Sequence, residues 1–314
     1  YTYDMAVYEL AKVVKVQEML ESQGHTLPDA QSLLANAQMR LRDAKARWDN
    51  REFPEAYRES ERALRPLRIL MRAQWDKAVK GLDSPVASPY AVTFYTLPRH
   101  WQFMDDVRRS VATANVLAGG DFEMVPERTQ DSWKLEEKTL DPVDLSAQRV
   151  GEVKLTAAKS DKAAPNDKGV KQAAAEAPKQ GKQCALLQVK AKNSPASYAL
   201  ERTYLALTSP TVQLQPGTLV QVSGWIRIPE AIKGSPDGAL FYDSAGGEPL
   251  GIRLTEATKW KKFTLYRRVP STGTINVTLA MTGIGSVYFD DVRIEPLVPA
   301  GSSGAVQAQF TTPR

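Results

Sequence analysis

Two carboxylates stand side by side in the segment from Val287 to Ile294, which reads V-Y-F-D-D-V-R-I. Apolar and polar residues alternate in it, as they do in a half-buried β-strand. A second acidic segment, from Asn115 to Glu123, reads N-V-L-A-G-G-D-F-E. We expect the two segments to be the last and first strands of one β-domain, lying close together with their acids around a cation.

Catalysis by these acids is the less favoured interpretation. A glycosidase needs two carboxylates that face each other across a cleft. Asp290 and Asp291 are neighbours on a predicted strand, so their side chains should point to opposite faces. The sequence also contains no G-x-S-x-G elbow, phosphate-binding loop or dinucleotide fingerprint. It therefore predicts a binding module and no enzyme, while a catalytic domain upstream of Tyr1 in a longer parent protein stays open.

The amino-acid composition narrows the possible functional classes further. The 314 residues carry 41 Lys and Arg against 36 Asp and Glu, a net charge of +5 that is dispersed along the chain. Nucleic-acid binders concentrate their basic residues on one face, and the sequence predicts no such stripe. It has no apolar run long enough for a membrane span. With two histidines and one cysteine, a multi-histidine zinc site and an internal disulfide are not expected.

The first third of the chain is predicted to be helical. Apolar residues recur at helical spacing over 4–23, 30–48 and 57–79, and Thr26 with Asp29 suggests a capping box for the second helix. The run from Ala44 to Leu64 resembles the centre of a tetratricopeptide-type helical hairpin, in a single copy. Such a unit could dock on a protein partner, and a plain scaffold bundle is the alternative.

An α+β, multidomain organisation follows. We predict a helical domain over 1–84, an aromatic-rich connector over 85–114, a β-domain over 115–298 with a flexible Lys/Ala/Pro loop at 156–182, and a flexible tail over 299–314. The β-domain shows short strands with glycine and proline turns between them, which indicates an antiparallel β-sandwich, most simply a jelly roll. The candidate strands are 122–124, 133–135, 150–155, 183–190, 198–207, 219–228, 239–242, 251–254, 261–268, 275–281 and 287–294.

Several segments of the β-domain together suggest a family. In addition to the two acidic segments, they are Trp133, P-G-T-L-V-Q-V-S-G-W-I-R-I at 216–228 and W-K-K-F-T-L-Y at 260–266. In this order they resemble carbohydrate-binding modules of the galactose-binding-like jelly-roll class, over residues 115–297. Modules of this class often hold a structural cation between the first and last strands and commonly accompany glycoside hydrolases.

The resemblance gives the acids a non-catalytic role. Calcium prefers six to eight oxygen ligands from carboxylates and carbonyls. Glu123 with Asp290 or Asp291 would supply the carboxylates, and Asp121 is a weaker candidate. Alternatively, the acids cap turns or pair with Arg293 or with Lys residues.

A sugar-binding surface is predicted around the strand 219–228. Gln221, Ser223, Trp225 and Arg227 should share the face opposite Val220 and Val222. An aromatic ring for the apolar side of a sugar, next to hydrogen-bonding groups for its hydroxyls, suits a glycan. We expect two other strands to extend this face, one through Arg253 and the other through Asn276 and Thr278. Tyr242 and Tyr198 should form its rim. The alternative is that the helical domain or the loop covers Trp225.

The functional prediction is a non-catalytic carbohydrate-binding or adhesion module whose partner is a polysaccharide or glycan. An extracellular or cell-surface location goes with it. Two alternatives stay open: a structural or assembly protein that uses the jelly roll and helices for protein–protein contacts, and the accessory region of a glycoside hydrolase.

Overall fold

The computed structural model describes residues 1–123, 132–138, 143–151, 178–191 and 204–301. The chain divides into two compact units, Tyr1–Arg109 and Ser110–Arg314. The first is helical and the second consists of antiparallel strands, which confirms the predicted α+β class. Most of the predicted loop at 156–182 and the tail beyond Gly301 lie outside the described residues.

Four α-helices form the first unit: α1 (Thr2–Ser22), α2 (Ala30–Asp49), α3 (Phe53–Val79) and α4 (Leu97–Arg108). The three long helices match the predicted periodic segments. The capping-box prediction is wrong, because Asp29 occupies the N-cap position of α2 and makes no side-chain cap hydrogen bond. In the aromatic-rich segment, α4 follows 3₁₀ turns at Pro85–Ala87 and Phe94–Thr96.

An apolar core cluster contains residues of all four helices, with Val13, Leu34, Leu67 and Leu97 among its buried members. Their spacing leaves charged residues on the outer faces, as an amphipathic helix requires. Among the described residues, no helix is long and apolar enough to cross a membrane. The likeness to a tetratricopeptide-type hairpin stays a prediction.

Thirteen strands form the second unit across the described residues. They are β1 (Ser110–Ala112), β2 (Lys134–Lys138), β3 (Val143–Gly151), β4 (Gln183–Ala191), β5 (Tyr204–Thr208), β6 (Val212–Gln213), β7 (Leu219–Ile228), β8 (Ala239–Asp243), β9 (Ile252–Leu254), β10 (Thr258–Arg268), β11 (Thr274–Ile275), β12 (Val277–Met281) and β13 (Gly285–Pro299). One sheet has the order β10-β7-β13-β4-β3, with β1 paired to β13. The other has the order β2-β5-β12-β8-β9, and β6 pairs with β11 in a short ribbon.

The two large sheets pack face to face, as the predicted β-sandwich requires. Val222 and Ile226 on the inner face of β7 are fully buried, as is Phe241 on β8 of the other sheet. Between them on β7 lies Gly224, where an added Cβ would come 2.8 Å from the Phe241 ring. The absence of a side chain at Gly224 therefore lets the ring of one sheet pack against the backbone of the other.

The strand predictions differ from the structure in places where the backbone turns. Phe122 has φ = 57° and lies in a turn, so the strand predicted over 122–124 is wrong for its described part. The strand predicted over 275–281 is interrupted at Asn276. The last strand is longer than expected and carries a register shift between Asp290 and Arg293.

The expected proximity of the two acidic segments is confirmed. Val116 donates its backbone N–H to the Ile294 carbonyl at 2.9 Å, and Val292 donates to the Gly120 carbonyl at 2.8 Å. An added Cβ at Gly120 would lie 1.9 Å from the Val292 carbonyl oxygen. The regular strand of this region, β1, precedes Asn115, so the segment 115–123 contacts β13 as an irregular stretch.

Candidate functional site

The outward side of β7 carries the residues that the sequence singles out. Val220, Val222, Ile226 and Ile228 are buried in the core, so the alternate residues lie on the opposite face of the sheet. Cross-strand partners extend this face on both sides. We call it the Trp225 face, made of Gln221, Ser223, Trp225 and Arg227 on β7, Lys262, Thr264 and Tyr266 on β10, and Tyr288, Asp290, Arg293 and Glu295 on β13.

Aromatic and cationic groups meet at the centre of the Trp225 face. Trp225 is half-buried, and Arg227 is 8% exposed. The Arg227 guanidinium lies 5.4 Å from the centroid of the Tyr288 ring, its partner across the ladder. This cation–π contact and the burial fix the orientation of the guanidinium. The centre thus combines a partly open indole with a rigidly placed hydrogen-bond donor.

The chain segment before β4 folds back onto this centre. Lys179 Nζ lies 4.2 Å from the centroid of the Trp225 ring. The next residue, Gln180, donates its backbone N–H to Asp290 Oδ2 at 2.8 Å. Asp290 is the ladder partner of Trp225. The sequence interpretation in which the loop covers Trp225 is therefore correct in part, because one lysine reaches the ring while the indole stays half-exposed.

Burial changes the acidity of Asp290. Its side chain is completely buried, and desolvation raises its pKa from 3.8 to about 6, although backbone N–H groups of Gln180 and Asp291 act in the opposite direction. The Asp291 N–H reaches Asp290 Oδ1 at 2.7 Å. This carboxylate holds the backbone of its neighbours and is not presented to solvent.

Other polar groups of the face bind one another. Gln221 Nε2 donates to Glu295 Oε2 at 3.0 Å. Arg293 Nε donates to Asp291 Oδ1 at 2.6 Å, and its guanidinium also lies 3.7 Å from Glu295. In contrast, Ser223 Oγ is buried and has no hydrogen-bond partner within the described part of the chain.

Three predicted ligand-binding residues do not extend the Trp225 face. Arg253 on β9, Tyr242 on β8 and Asn276 beside β12 belong to the opposite sheet of the sandwich or its edge. The expectation of one continuous face is therefore wrong, because alternation assigns a residue to a side of its own strand and does not identify the sheet. Thr278 lies on β12 of that sheet too, and Tyr198 lies outside the described residues.

Each of these residues has local contacts in its own sheet. Arg253 Nε donates to Asp237 Oδ1 at 2.8 Å. Tyr242 packs on a small apolar cluster that includes Leu240. The Asn276 backbone exchanges hydrogen bonds with Ser244. These contacts support the strands of the second sheet.

The candidate calcium ligands accept hydrogen bonds from nearby backbone groups. Glu123 Oε1 accepts the N–H groups of Lys182 and Gln183 at 2.5 and 2.8 Å, and these bonds lower its pKa. Asp121 Oδ1 accepts the N–H of Glu123 at 3.3 Å. Together with the backbone bonds of Asp290, they hold the segment 179–183 between the first and last parts of the β-unit.

These contacts match the alternative in which the acids cap turns and pair with Arg293. Asp291 has φ = 48° at the register shift of β13 and contacts Arg293. It lines a pocket of about 230 Å³ together with Asp121. Within the described ranges, no group of three or more His, Cys, Asp or Glu side chains could hold a metal ion. In this arrangement the carboxylates resemble hydrogen-bond acceptors for the backbone more than the ligands of a calcium ion. Calcium binding stays a prediction.

Sequence reasoning missed the members of the site on β10 and most of those on β13, among them Lys262 and Tyr288, and also Lys179 over the Trp225 ring. Tyr288 was recoverable, because it precedes Asp290 by two residues on a strand and must share its face. Lys262 was recoverable only with the pairing of β10 and β7, in which it opposes Trp225. No local signal points to Lys179, because it follows a long segment of low complexity.

Comparisons with known proteins give distant structural similarity alone. No protein-family model and no curated protein matches the chain. Solved structures that resemble it include the enzymatically active domain of bacteriophage CBA120 tailspike protein 4, with 14% identity, a TM-score of 0.34 and coverage of 58% of this chain and 21% of that one. The chain thus spans about a fifth of the tailspike domain's length.

Other similar structures are carbohydrate-binding modules. TmCBM61, in complex with β-1,4-galactotriose, has 17% identity and a TM-score of 0.31, with coverage of 58% of this chain and 98% of the module. The family 11 module from Clostridium thermocellum, in complex with a β-1,3-1,4-mixed-linked tetrasaccharide, has 12% identity and a TM-score of 0.27, with coverage of 60% and 94%. The β-unit of this chain resembles jelly-roll carbohydrate-binding modules.

Proposed function

We propose that the β-unit is a non-catalytic carbohydrate-binding or adhesion module and that the Trp225 face binds the glycan. One observation carries the proposal: a half-exposed Trp225 lies beside Arg227, whose guanidinium is held over Tyr288. The reverse side of the same strand forms the core. The rigid sandwich therefore holds this pair of groups in a fixed arrangement.

The chemistry of this pair matches that of a sugar ring. A pyranose has one face lined by C–H groups and a rim of hydroxyls. An indole provides an apolar surface for the first, and a guanidinium donates hydrogen bonds to the second. Ser223, with its buried hydroxyl, lies next to them along β7. Few, well-placed polar groups around an apolar platform are typical of small-ligand sites.

The arrangement of the acids is more consistent with a binding module than with a catalytic site. Asp290 is buried under backbone donors, and Asp291 is paired with Arg293. Neither is arranged as one of two carboxylates facing each other across a cleft. An extracellular or cell-surface location, and an origin beside a glycoside hydrolase catalytic domain, belong to the same proposal.

The test compares Trp225→Ala with Trp48→Ala in a glycan array and in affinity gel electrophoresis with soluble polysaccharides. Trp48 is 54% exposed and lies in the helical unit, so its replacement controls for the loss of a surface indole. We expect Trp225→Ala to weaken binding at least tenfold and Trp48→Ala to leave it unchanged. Equal binding by both variants and the wild type contradicts the site, provided that circular dichroism shows both to be folded.

A second candidate function is assembly with another protein through the helical unit. Trp48, Phe53 and Tyr57 are 54%, 50% and 56% exposed around the turn between α2 and α3, and the rings of Trp48 and Phe53 pack edge to face. Exposed clusters of aromatic residues are typical of protein interfaces. Absence of binding to every glycan, together with concentration-dependent self-association that Trp48→Ala abolishes in analytical ultracentrifugation, would favour this function.

A further inference from the structure

The Trp225 face carries an excess of positive charge around its aromatic centre. Lys262 opposes Trp225 on β10, Lys179 lies over its ring, and Arg227 follows two residues along β7. Register partners on one face have their Cβ atoms roughly 5 Å apart. Lys179 and Lys262 therefore lie close to the half-buried indole, and the guanidinium of Arg227 is buried over Tyr288 beside them.

The acids of the same region do not cancel this charge. Asp290, directly across from Trp225, is buried and accepts backbone N–H groups. Glu295 and Asp291 are engaged by Arg293. Among the described residues, Lys179 and Lys262 form no ion pair. Within the described ranges, the two exposed lysines at the indole therefore have no matching carboxylate.

The position of Lys179 distinguishes neutral from anionic ligands. Its ammonium lies 4.2 Å from the Trp225 ring centroid, where a stacked sugar would sit. A sugar that stacks on the indole must displace this ammonium from the ring. A neutral sugar offers it hydroxyl acceptors alone, whereas an anionic sugar offers a charge-assisted hydrogen bond of about twice the strength.

We propose that the preferred ligand of the Trp225 face is an anionic glycan, whose carboxylate or sulfate groups pair with Lys179 and Lys262 while a sugar ring stacks on Trp225. This inference rests on the proposed function and specifies its ligand class. The acidic group is held by the two lysines beside the indole, and the buried guanidinium of Arg227 fixes the orientation of the sugar.

The test uses pairs of polymers with the same backbone and different charge. Binding of the whole protein is measured by isothermal titration calorimetry with polygalacturonate and its fully methyl-esterified form, and with a sulfated galactan and its desulfated form. The first pair reports on carboxylates and the second on sulfates. We expect at least tenfold tighter binding to the anionic member of one pair, and a loss of that difference at high salt.

Variants of the two lysines test whether the charge preference arises at the Trp225 face. Lys179→Gln and Lys262→Gln should each reduce the preference, and the double variant should reduce it to near equality. Lys261→Gln is the matched control. Lys261 is exposed and adjacent to Lys262 on β10, but its side chain points to the opposite face of the strand. All four proteins should have the same melting temperature, since the lysines are at the surface.

The outcomes separate this inference from the proposed function. Equal affinity for both members of each pair, with binding still lost in Trp225→Ala, overturns the anionic preference and leaves glycan binding in place. A decrease in Lys261→Gln as large as that in Lys262→Gln also overturns it, because the effect would then reflect net charge alone. Absence of binding to all four polymers and to the glycan array overturns both.

Discussion

Asp290 and Trp225 are direct partners across the ladder between β13 and β7, and the segment before β4 is bound to both of them. Gln180 donates its backbone N–H to the carboxylate of Asp290, and Lys179 places its ammonium over the Trp225 ring. The carboxylate that looks catalytic in the sequence thus has a structural task. It holds the backbone that delivers a lysine to the candidate binding surface.

The pH dependence of Asp290 follows from its burial. The rise of its pKa from 3.8 to about 6 corresponds to about 3 kcal/mol of folding free energy. The folded state favours the protonated acid, so this contribution is complete below the unfolded pKa and is lost as the pH rises through 6. Asp290→Asn should remove this component of the pH dependence.

Nuclear magnetic resonance of the aspartate carboxyl carbons measures the titration directly. The signal that is missing in Asp290→Asn identifies the residue, and its midpoint should lie near pH 6. Denaturant unfolding of the β-unit at about pH 4 and about pH 7 then gives the difference between variant and wild type. A midpoint at the value of an ordinary exposed aspartate would contradict the buried, desolvated environment.

A buried ion pair joins the two sheets of the sandwich. Arg267 and Asp243 are 1% and 0% exposed and meet at 2.8 Å, and Arg267 also donates to the Leu250 carbonyl. Arg267→Met should lower the unfolding free energy by about 3–5 kcal/mol, because it leaves the Asp243 carboxylate buried without its cation. Urea denaturation of the single variant measures this loss.

A double variant separates the pair from its surroundings. Asp243 Oδ1 also accepts the N–H groups of Ala245 and Gly246, which an asparagine oxygen can still accept. Arg267→Met combined with Asp243→Asn should therefore be more stable than Arg267→Met alone. A double variant that is less stable than the single one would show that the lost arginine contacts, and not the unpaired charge, cause the effect.

The close approach of Gly120 to β13 gives a steric prediction. A Cβ at this residue would lie 1.9 Å from the Val292 carbonyl oxygen, which is backbone and cannot rotate away. Gly120→Ala should destabilise the β-unit by roughly 1–3 kcal/mol or more, as overpacking does. Gly81→Ala, where no atom lies within 4 Å of the added Cβ, is the control for thermal unfolding. Equal melting temperatures would show that the segment 115–123 does not pack against β13.

Calcium remains a proposal for the junction of Glu123 with Asp290 and Asp291. An ion shared by these residues would join the first and last parts of the β-unit, so we expect calcium to raise the melting temperature relative to chelator. Glu123→Gln should abolish this increase. If the carboxylate of Glu123 acts only as an acceptor for Lys182 and Gln183, Glu123→Gln instead lowers the melting temperature equally with calcium and with chelator.

Apolar and polar alternation was enough to assign which residues of a strand face the core and which face outward. Val222 and Ile226 are buried and Trp225 is half-exposed, as alternation requires, and the long amphipathic helices follow from apolar spacing. The proximity of the segments 115–123 and 287–294 was also predictable, through their resemblance to the ends of a known type of domain. These features are local, or are fixed by the order of recognisable segments.

Which outward residues share a surface depends on strand pairing and is visible only in the folded chain. Arg253, Tyr242 and Asn276 lie on the sheet opposite Trp225, because strand pairing depends on long-range hydrogen bonds that no local pattern encodes. Lys179 reaches the indole because Asp290 and Glu123 bind the backbone beside it. The composition of the candidate site is therefore set by sheet order and by the two carboxylates that bind the backbone beside Lys179, whereas the residue types that suit a glycan are visible in the sequence.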